Sequence, residues 1–143
     1  MSCELSPLPT PLVVVVAGDG GAVIGWPLVI PGSPPLIALP FAPGRRTLEA
    51  VRRARYFSLN LVKDYEKAVE IFGSEGRDKL KRWGGAVPCE RLACLRLPDA
   101  SRWVECEYAQ ELEVEGHVLV LCKAVYWSGC GEYAIWDPCR KRR

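Results

Sequence analysis

The sequence predicts a mainly β fold: a small β-barrel of antiparallel strands with helical inserts. Strand-like runs lie towards both ends of the chain, apolar at 12–17, 36–41 and 118–127 and alternating at 103–114. Segments with helical spacing fall between them, from 47 to 83, so the order is strands, helices, strands. Short turns such as Gly18-Asp19-Gly20-Gly21 and Glu115-Gly116 join successive strands antiparallel. At 143 residues one domain over 1–143 is expected, large enough for a sizeable core.

Residues 1–10 form an extended, proline-marked lead-in. Residues 12–17 are a buried strand entering a hairpin, and 22–30 are its return, interrupted by Gly25 and Pro27 and so bent or at an edge. After the turn at 31–35, residues 36–41 are the next strand. Thr47 is placed as the N-cap of a helix whose apolar stripe is Leu48, Val51 and Ala54, with arginines facing out. In 56–62, Phe57, Leu59 and Leu61 alternate with Ser58 and Asn60, which marks a strand; Asn60 is read as a structural hydrogen-bonder. Asp64 caps a second helix that runs to Phe72 and closes at Gly73, and 77–83 is a third, shorter one. Strands are expected at 92–97, 103–114 and 118–127; Glu105 and Glu107 are assigned to a wet face opposite Val104, Cys106 and Tyr108. Residues 129–138 are a flap or partner contact, and 137–143 end in a basic tail read as solvated.

Composition narrows the function classes. Charged residues are 25% and the net charge is +2, so binding of anions must come from local clustering. The stretch 20–44 is uncharged but carries six prolines, which excludes a membrane helix there. Met1-Ser2-Cys3-Glu4 has no positive n-region, so a secretory signal is not expected and the cytoplasm is the expected location. The seven cysteines make no CxxC pair and match no zinc-site spacing, so no metal is expected and reduced, buried thiols are the default. One asparagine, one glutamine and one methionine are a depletion seen in proteins of hot environments, where a Cys130–Cys139 disulfide stays open even inside a cell.

The local clustering is at Gly44-Arg45-Arg46-Thr47, ahead of the first helix. Backbone N–H groups at a helix start, a hydroxyl and two guanidinium groups together suit a phosphate. The competing interpretation is a solvated turn with a cap. Arg52, Arg53 and Arg55 are read as a solvated helix face, or a dimer or anion surface. His117 is the only histidine, so no histidine-dependent triad or multi-histidine metal site is available. The glutamates at 105, 107, 111, 113 and 115 fall on alternate positions of one strand and give no acid–base pair.

Several short motifs, in order, carry a resemblance: 11–17, Gly25-Trp26, Ser33-Pro34-Pro35-Leu36-Ile37-Ala38, Arg46-Thr47-Leu48-Glu49, Phe57-Ser58-Leu59-Asn60-Leu61, Trp103-Val104-Glu105-Cys106-Glu107 and Gly116-His117-Val118-Leu119-Val120. Together they resemble the flavin reductase-like branch of the FMN-binding split-barrel proteins, over roughly residues 11–127. The resemblance implies a Greek-key-like six-stranded split barrel that forms a homodimer with flavin, FMN or FAD, held at the subunit interface. NAD(P)H is the implied co-substrate, and an electron-accepting partner the implied destination. Arg45, Arg46 and Thr47 then map to the flavin phosphate, Gly25, Trp26, Pro27 and Leu28 to the isoalloxazine ring, Phe41 and Ala42 to the ribityl chain, and His117 to the nicotinamide side. Where the family usually has serine or threonine after the glycine, this chain has Trp26-Pro27-Leu28-Val29-Ile30. Three functions follow from these residues: a flavin reductase-like oxidoreductase, a non-catalytic flavin carrier of the same fold, and a nucleic-acid-binding barrel using the arginines and tryptophans, the last the weakest.

Overall fold

The structure, a computed structural model, describes residues 8–139. The lead-in up to residue 7 and the tail from 140 to 143 lie outside the described residues.

The elements in chain order are β1 (Thr10–Pro11), β2 (Val13–Ala17), β3 (Gly20–Ile24), β4 (Leu28–Ile30), β5 (Leu36–Phe41), α1 (Arg46–Ala54), β6 (Tyr56–Leu61), α2 (Tyr65–Phe72), α3 (Lys79–Trp83), β7 (Val87–Pro88), β8 (Leu95–Arg96), β9 (Arg102–Val114), β10 (His117–Gly129) and β11 (Ile135–Trp136). Seven strands form one sheet in the order β3-β2-β6-β9-β10-β5-β4, every pair antiparallel. The break at Gly25 and Pro27 divides the expected return strand, and its second half, β4, pairs only with β5. This short edge strand makes the count seven rather than six.

The sheet curls around one core. Val13, Val15 and Ala17 from β2 join Ile24 from β3, Leu39 and Phe41 from β5, Phe57 and Leu59 from β6, Cys106 from β9 and Val120, Cys122 and Ala124 from β10. Leu48 and Val51 of α1 pack into the same core. Alternation sends Val14 and Val16 to the opposite face, where they meet Ala68, Ile71 and Phe72 of α2 and Leu80 and Trp83 of α3. Strand β2 is therefore buried on both faces, which is why its sequence is a continuous apolar run.

Polar groups on the buried strands and at the start of α2 find partners. Asn60 is fully buried on β6; its amide nitrogen donates to Val14 O at 3.1 Å and Ser58 Oγ at 2.9 Å, and its oxygen accepts from Leu97 N at 3.0 Å. Asp64 caps α2, accepting from Lys67 N at 3.1 Å. The expected cap at Thr47 is not made. Helix α1 begins at Arg46 with extended Arg45 as N-cap and no side-chain cap bond, and Thr47 is buried in the first turn.

Three further expectations are corrected. The strand expected at 92–97 shrinks to β8, because residues 89–94 are instead a loop closed by a Cys89–Cys94 disulfide. Cys130 is free while Cys139 is disulfide-bonded, so these two are not joined to each other. Glu105 does not face water: it is fully buried, because the 89–94 loop folds over it and supplies its hydrogen-bond donors. The segment 129–138 contributes β11, which pairs with β1. Among the described residues no helix is long and apolar enough to cross a membrane.

Candidate functional site

The turn from β5 to α1 delivers Arg45, Arg46 and Thr47 to one wall of a cleft of about 470 Å³. The second wall is the β2–β3 turn, with Asp19, Gly20 and Gly21; the third is the segment from Glu75 to Lys81 that leads into and forms α3. Five cationic side chains line it, Arg45, Arg46, Arg77, Lys79 and Lys81, against three acids, Asp19, Glu75 and Asp78. A cleft with this excess of cations, opening at the N-terminus of the nine-residue helix α1, attracts anions.

Lys79 was invisible as a site residue in the sequence. It is 8% exposed, and its Nζ donates to Gly21 O at 3.0 Å. Among the described residues no carboxylate lies within ion-pair distance of it. Burial pushes its pKa below the usual lysine value, and repulsion from Arg45, Arg82 and Arg46 adds to that, with Glu75 opposing. The charge run Arg77, Lys79, Lys81, Arg82 was the available signal, but nothing local says that it faces Arg45.

The other expected residues are placed as follows. Gly25 is pressed against the Trp136 indole, so closely that a Cβ there would fall 2.0 Å from Trp136 Cδ1. Trp26 has its ring 5.3 Å from that of Trp136; its backbone N–H donates to Thr10 Oγ1 at 2.8 Å and its indole N–H to Leu8 O at 2.7 Å. Pro27 leads into β4, where Leu28, Val29 and Ile30 present an exposed apolar edge. None of Gly25–Leu28 lines the cleft, which takes Gly20 and Gly21 from the start of β3, whereas Gly25 follows the end of that strand. Phe41 points into the barrel core, fully buried, and Ala42 after it is exposed. His117 opens β10 beside that end of β5, since Val118 pairs with Phe41. The histidine is exposed, with Nδ1 3.3 Å from Glu115 O. The structure thus brings Arg45, Arg46 and Thr47 together with Lys79, sets Phe41, Ala42 and His117 at one end of β5, and holds Gly25–Leu28 apart from that cleft.

Two charged clusters brace the frame. Arg52 on α1 forks onto Glu111 of β9, Nε to Oε1 at 2.7 Å and Nη2 to Oε2 at 2.6 Å, and also pairs with Glu49. Tyr108 OH donates to Glu111 Oε1 at 2.7 Å. The hydrogen bonds from Arg52 and Tyr108 hold the Glu111 carboxyl down to about 2, and the same pairing raises the Arg52 pKa. Arg52 is therefore engaged within the molecule rather than being a free cation of a solvated face.

Glu105 accepts from Glu90 N and Arg91 N at 2.7 Å each, Leu92 N at 2.9 Å and Trp103 Nε1 at 3.0 Å. Burial alone pushes this carboxyl up, but the Leu92, Arg91 and Glu90 amides and the Trp103 indole outweigh it and hold it below the usual range. The Cys89 and Cys94 sulfurs and the Glu105 carboxylate lie within 4.8 Å of one another, but the sulfurs are bonded to each other. Cys106 and Cys122 are buried in the barrel core as small apolar side chains, and burial pushes the Cys106 thiol well up.

Comparison with known proteins agrees with this architecture. The NADH:FAD oxidoreductase SgcE6 of Streptomyces globisporus C-1027 superposes with a TM-score of 0.85 at 19% identity, over 98% of this chain and 89% of that one, and has been solved in complex with NAD and FAD fragments. An FMN-binding protein from Thermus thermophilus superposes with a TM-score of 0.77 at 16% identity, over 95% and 90% of the two chains. A protein from Sinorhizobium meliloti 1021 gives a TM-score of 0.82 at 20% identity; the present chain is covered to 94% and spans about half, 49%, of that protein's length. No curated protein matches the chain in sequence. The flavin reductase like domain matches residues 5–132, nearly the whole chain. On that match, and with a curled antiparallel sheet of the same form, the chain belongs to the flavin reductase like domain family.

Proposed function

We propose that the protein is a flavin reductase-like oxidoreductase that binds FMN or FAD and passes hydride between NAD(P)H and the flavin. The observation that carries this, beyond the family, is the basic cleft at the start of α1. The donor set fits the phosphate end of a flavin nucleotide: Arg45 and Arg46 supply charge and forked donors, and the first turn of α1 supplies free N–H groups. The ring end fits differently. The Trp26 N–H is already engaged with Thr10, so polar contacts to a ring fall to other backbone groups, while the apolar edge of β4 offers a dry surface.

When bound, the flavin supplies the hydride-accepting chemistry itself. The protein's residues then have three tasks. Arg45, Arg46 and Thr47 fix the phosphate, the Ala42 end of β5 and the β4 edge orient and shield the ring, and His117 contacts the nicotinamide side. No side-chain nucleophile or general acid is required of them.

Exposed Leu28, Val29 and Ile30 on the edge strand support a homodimer, with flavin between subunits. Location in the cytoplasm, delivery of electrons to a partner and an origin in a hot environment complete the reading. The missing hydroxyls between Trp26 and Ile30 favour one second reading, a flavin carrier without nicotinamide activity. Anaerobic mixing of flavin-loaded protein with NADH or NADPH separates the two: the oxidoreductase bleaches the flavin absorption, the carrier leaves it unchanged. Protein that stays colourless and takes up neither FMN nor FAD refutes both.

Replacing Arg45 and Arg46 together by alanine tests the phosphate assignment. Each charged hydrogen bond contributes about 1.5–3 kcal/mol, so FMN affinity is expected to fall by about 100-fold or more. Riboflavin, which lacks the phosphate, should lose little; equal loss of both ligands removes the arginines from the phosphate site.

A further inference from the structure

We propose that Lys79, the first residue of α3, is a direct phosphate ligand of the cleft, clamping the bound phosphate against Arg45 and Arg46 from the opposite wall. The proposal rests on the reading of the cleft as a flavin phosphate site and adds a residue from an element that none of the family motifs noted above includes.

Four observations converge on it. Lys79 is more than nine-tenths buried, yet its ammonium has a single hydrogen-bond acceptor, the carbonyl of Gly21 at 3.0 Å. An ammonium has three donors, and a buried cation without a counter-charge is costly unless something completes its shell. Second, it lines the cleft together with Arg45, Arg46 and Thr47, so an anion bound there lies beside it. The charges around it are also lopsided. From the start of α1 come Arg45 and Arg46, from its own segment Arg77, Lys81 and Arg82, and against them stand Asp19 on the β2–β3 turn and Glu75 and Asp78 beside it. Burial first, and then the arginines around it, lower its pKa, the direction of an ammonium whose lost hydration is not made good.

The fourth observation is how the backbone is arranged to allow this. Gly21 presents its carbonyl to Lys79 only because it has no side chain: a Cβ there would lie 2.9 Å from both Phe72 Cε1 and Val15 O. On the other side, Asp78 adopts a left-handed conformation, φ 57°, immediately before Lys79. Asp is among the few residues that tolerate it. A surface lysine needs neither device. A phosphate held between Arg45, Arg46 and Lys79 joins α1, the first hairpin and α3, three elements distant in sequence, around one ligand.

The experiment compares wild type, Lys79→Met and Lys79→Arg by isothermal titration with FMN, FAD and riboflavin. Lys79→Met keeps the buried stem and removes the charge. It should weaken FMN or FAD at least tenfold while riboflavin stays within twofold; whichever nucleotide responds identifies whether a terminal phosphate or a pyrophosphate is clamped. Lys79→Arg should restore most of the loss, which a structural role for the Gly21 contact would not predict. Equal weakening of riboflavin and the nucleotides, or no weakening, overturns the proposal. Loss of the nucleotide preference in the Arg45, Arg46 double variant but not in Lys79→Met overturns it while leaving the flavin reading intact. A wild-type protein that binds no flavin refutes that reading instead, and Lys79 is then decided with inorganic phosphate and pyrophosphate: addition of either should shift the side-chain NMR resonances of Lys79. No shift on saturation with either anion overturns the proposal, also where Lys79→Met fails to fold.

Discussion

Replacing Glu105 by glutamine removes one charge and changes almost no volume, so it isolates what the buried carboxylate does. In the wild type, one oxygen accepts from Arg91 N and Leu92 N, the other from Glu90 N and Trp103 Nε1. Glutamine retains one acceptor and turns the other into a donor. Whichever way the amide is oriented, two N–H groups then face an NH₂. A buried donor left without a partner costs about 1–3 kcal/mol, and two of them give about 2–6 kcal/mol. Glu90 and Arg91 lie in an exposed loop whose amides can turn to water, which places the expected loss in the lower half of that range. Urea unfolding measures it, and hydrogen exchange locates it: protection of the amides of Glu90, Arg91 and Leu92 should drop while that of the barrel strands is unchanged apart from the global loss. The pH dependence has a definite sign. The carboxyl is held below its unfolded value, so its contribution is fully present above the unfolded carboxylate range and is lost as pH falls through the depressed native value. Wild type and Glu105→Gln should therefore converge in stability in acid. A loss below about 0.5 kcal/mol at neutral pH with unchanged loop protection would refute the view that this charge organises the loop.

Two further outcomes are expected. The Arg52–Glu111 pair should contribute to stability above the usual carboxylate range and lose that contribution as pH falls towards about 2, where Glu111 protonates; because the side chains are 35% and 29% exposed, the loss in Arg52→Ala is about 1 kcal/mol, and its acid unfolding curve should be shallower than that of the wild type. Replacing Cys89 and Cys94 by serine removes a disulfide whose partners are five residues apart, leaves that of Cys139 in place, and should lower stability by about 2 kcal/mol from the released loop entropy; an unfolding midpoint identical to that of the wild type would show that the Glu105 hydrogen bonds alone hold the loop.

What could be read from the sequence was what is decided locally. The turn at Gly18–Gly21, the Asp64 cap, the strand at 36–41 and the paired long strands at the end follow from spacing and breakers within a few residues. The turn carrying Arg45, Arg46 and Thr47 was found for the same reason, and it does line a cleft. The misplaced residues are those whose environment arrives from far along the chain. Glu105 alternates with apolar neighbours as a surface glutamate does, and only a loop 13 to 15 positions earlier makes it a buried one. Lys79 meets Gly21 across 58 positions, and Arg52 meets Glu111 across 59. Periodicity carries no information about such pairs. The helix cap went to Thr47 rather than Arg45 because cap preferences score the side chain, whereas the packing of Leu48 and Val51 into the barrel fixes where the helix starts.

Strand β2 reads Val13-Val14-Val15-Val16, and nothing in those side chains distinguishes one register from the next. In most strands a slip of one residue exposes apolar groups and buries polar ones; here it would exchange valine for valine on both faces. Alignment must then be dictated from outside the strand, by the Asn60 amide gripping Val14 O and by Gly21, which fits under Phe72 only at its own position. The same uncharged, β-branched segment is the kind that stacks into cross-β assemblies when bare. The molecule keeps it between β3 and β6 along its edges and between two apolar layers across its faces, so the most aggregation-prone stretch of the chain is also the one with the least surface to offer a neighbour.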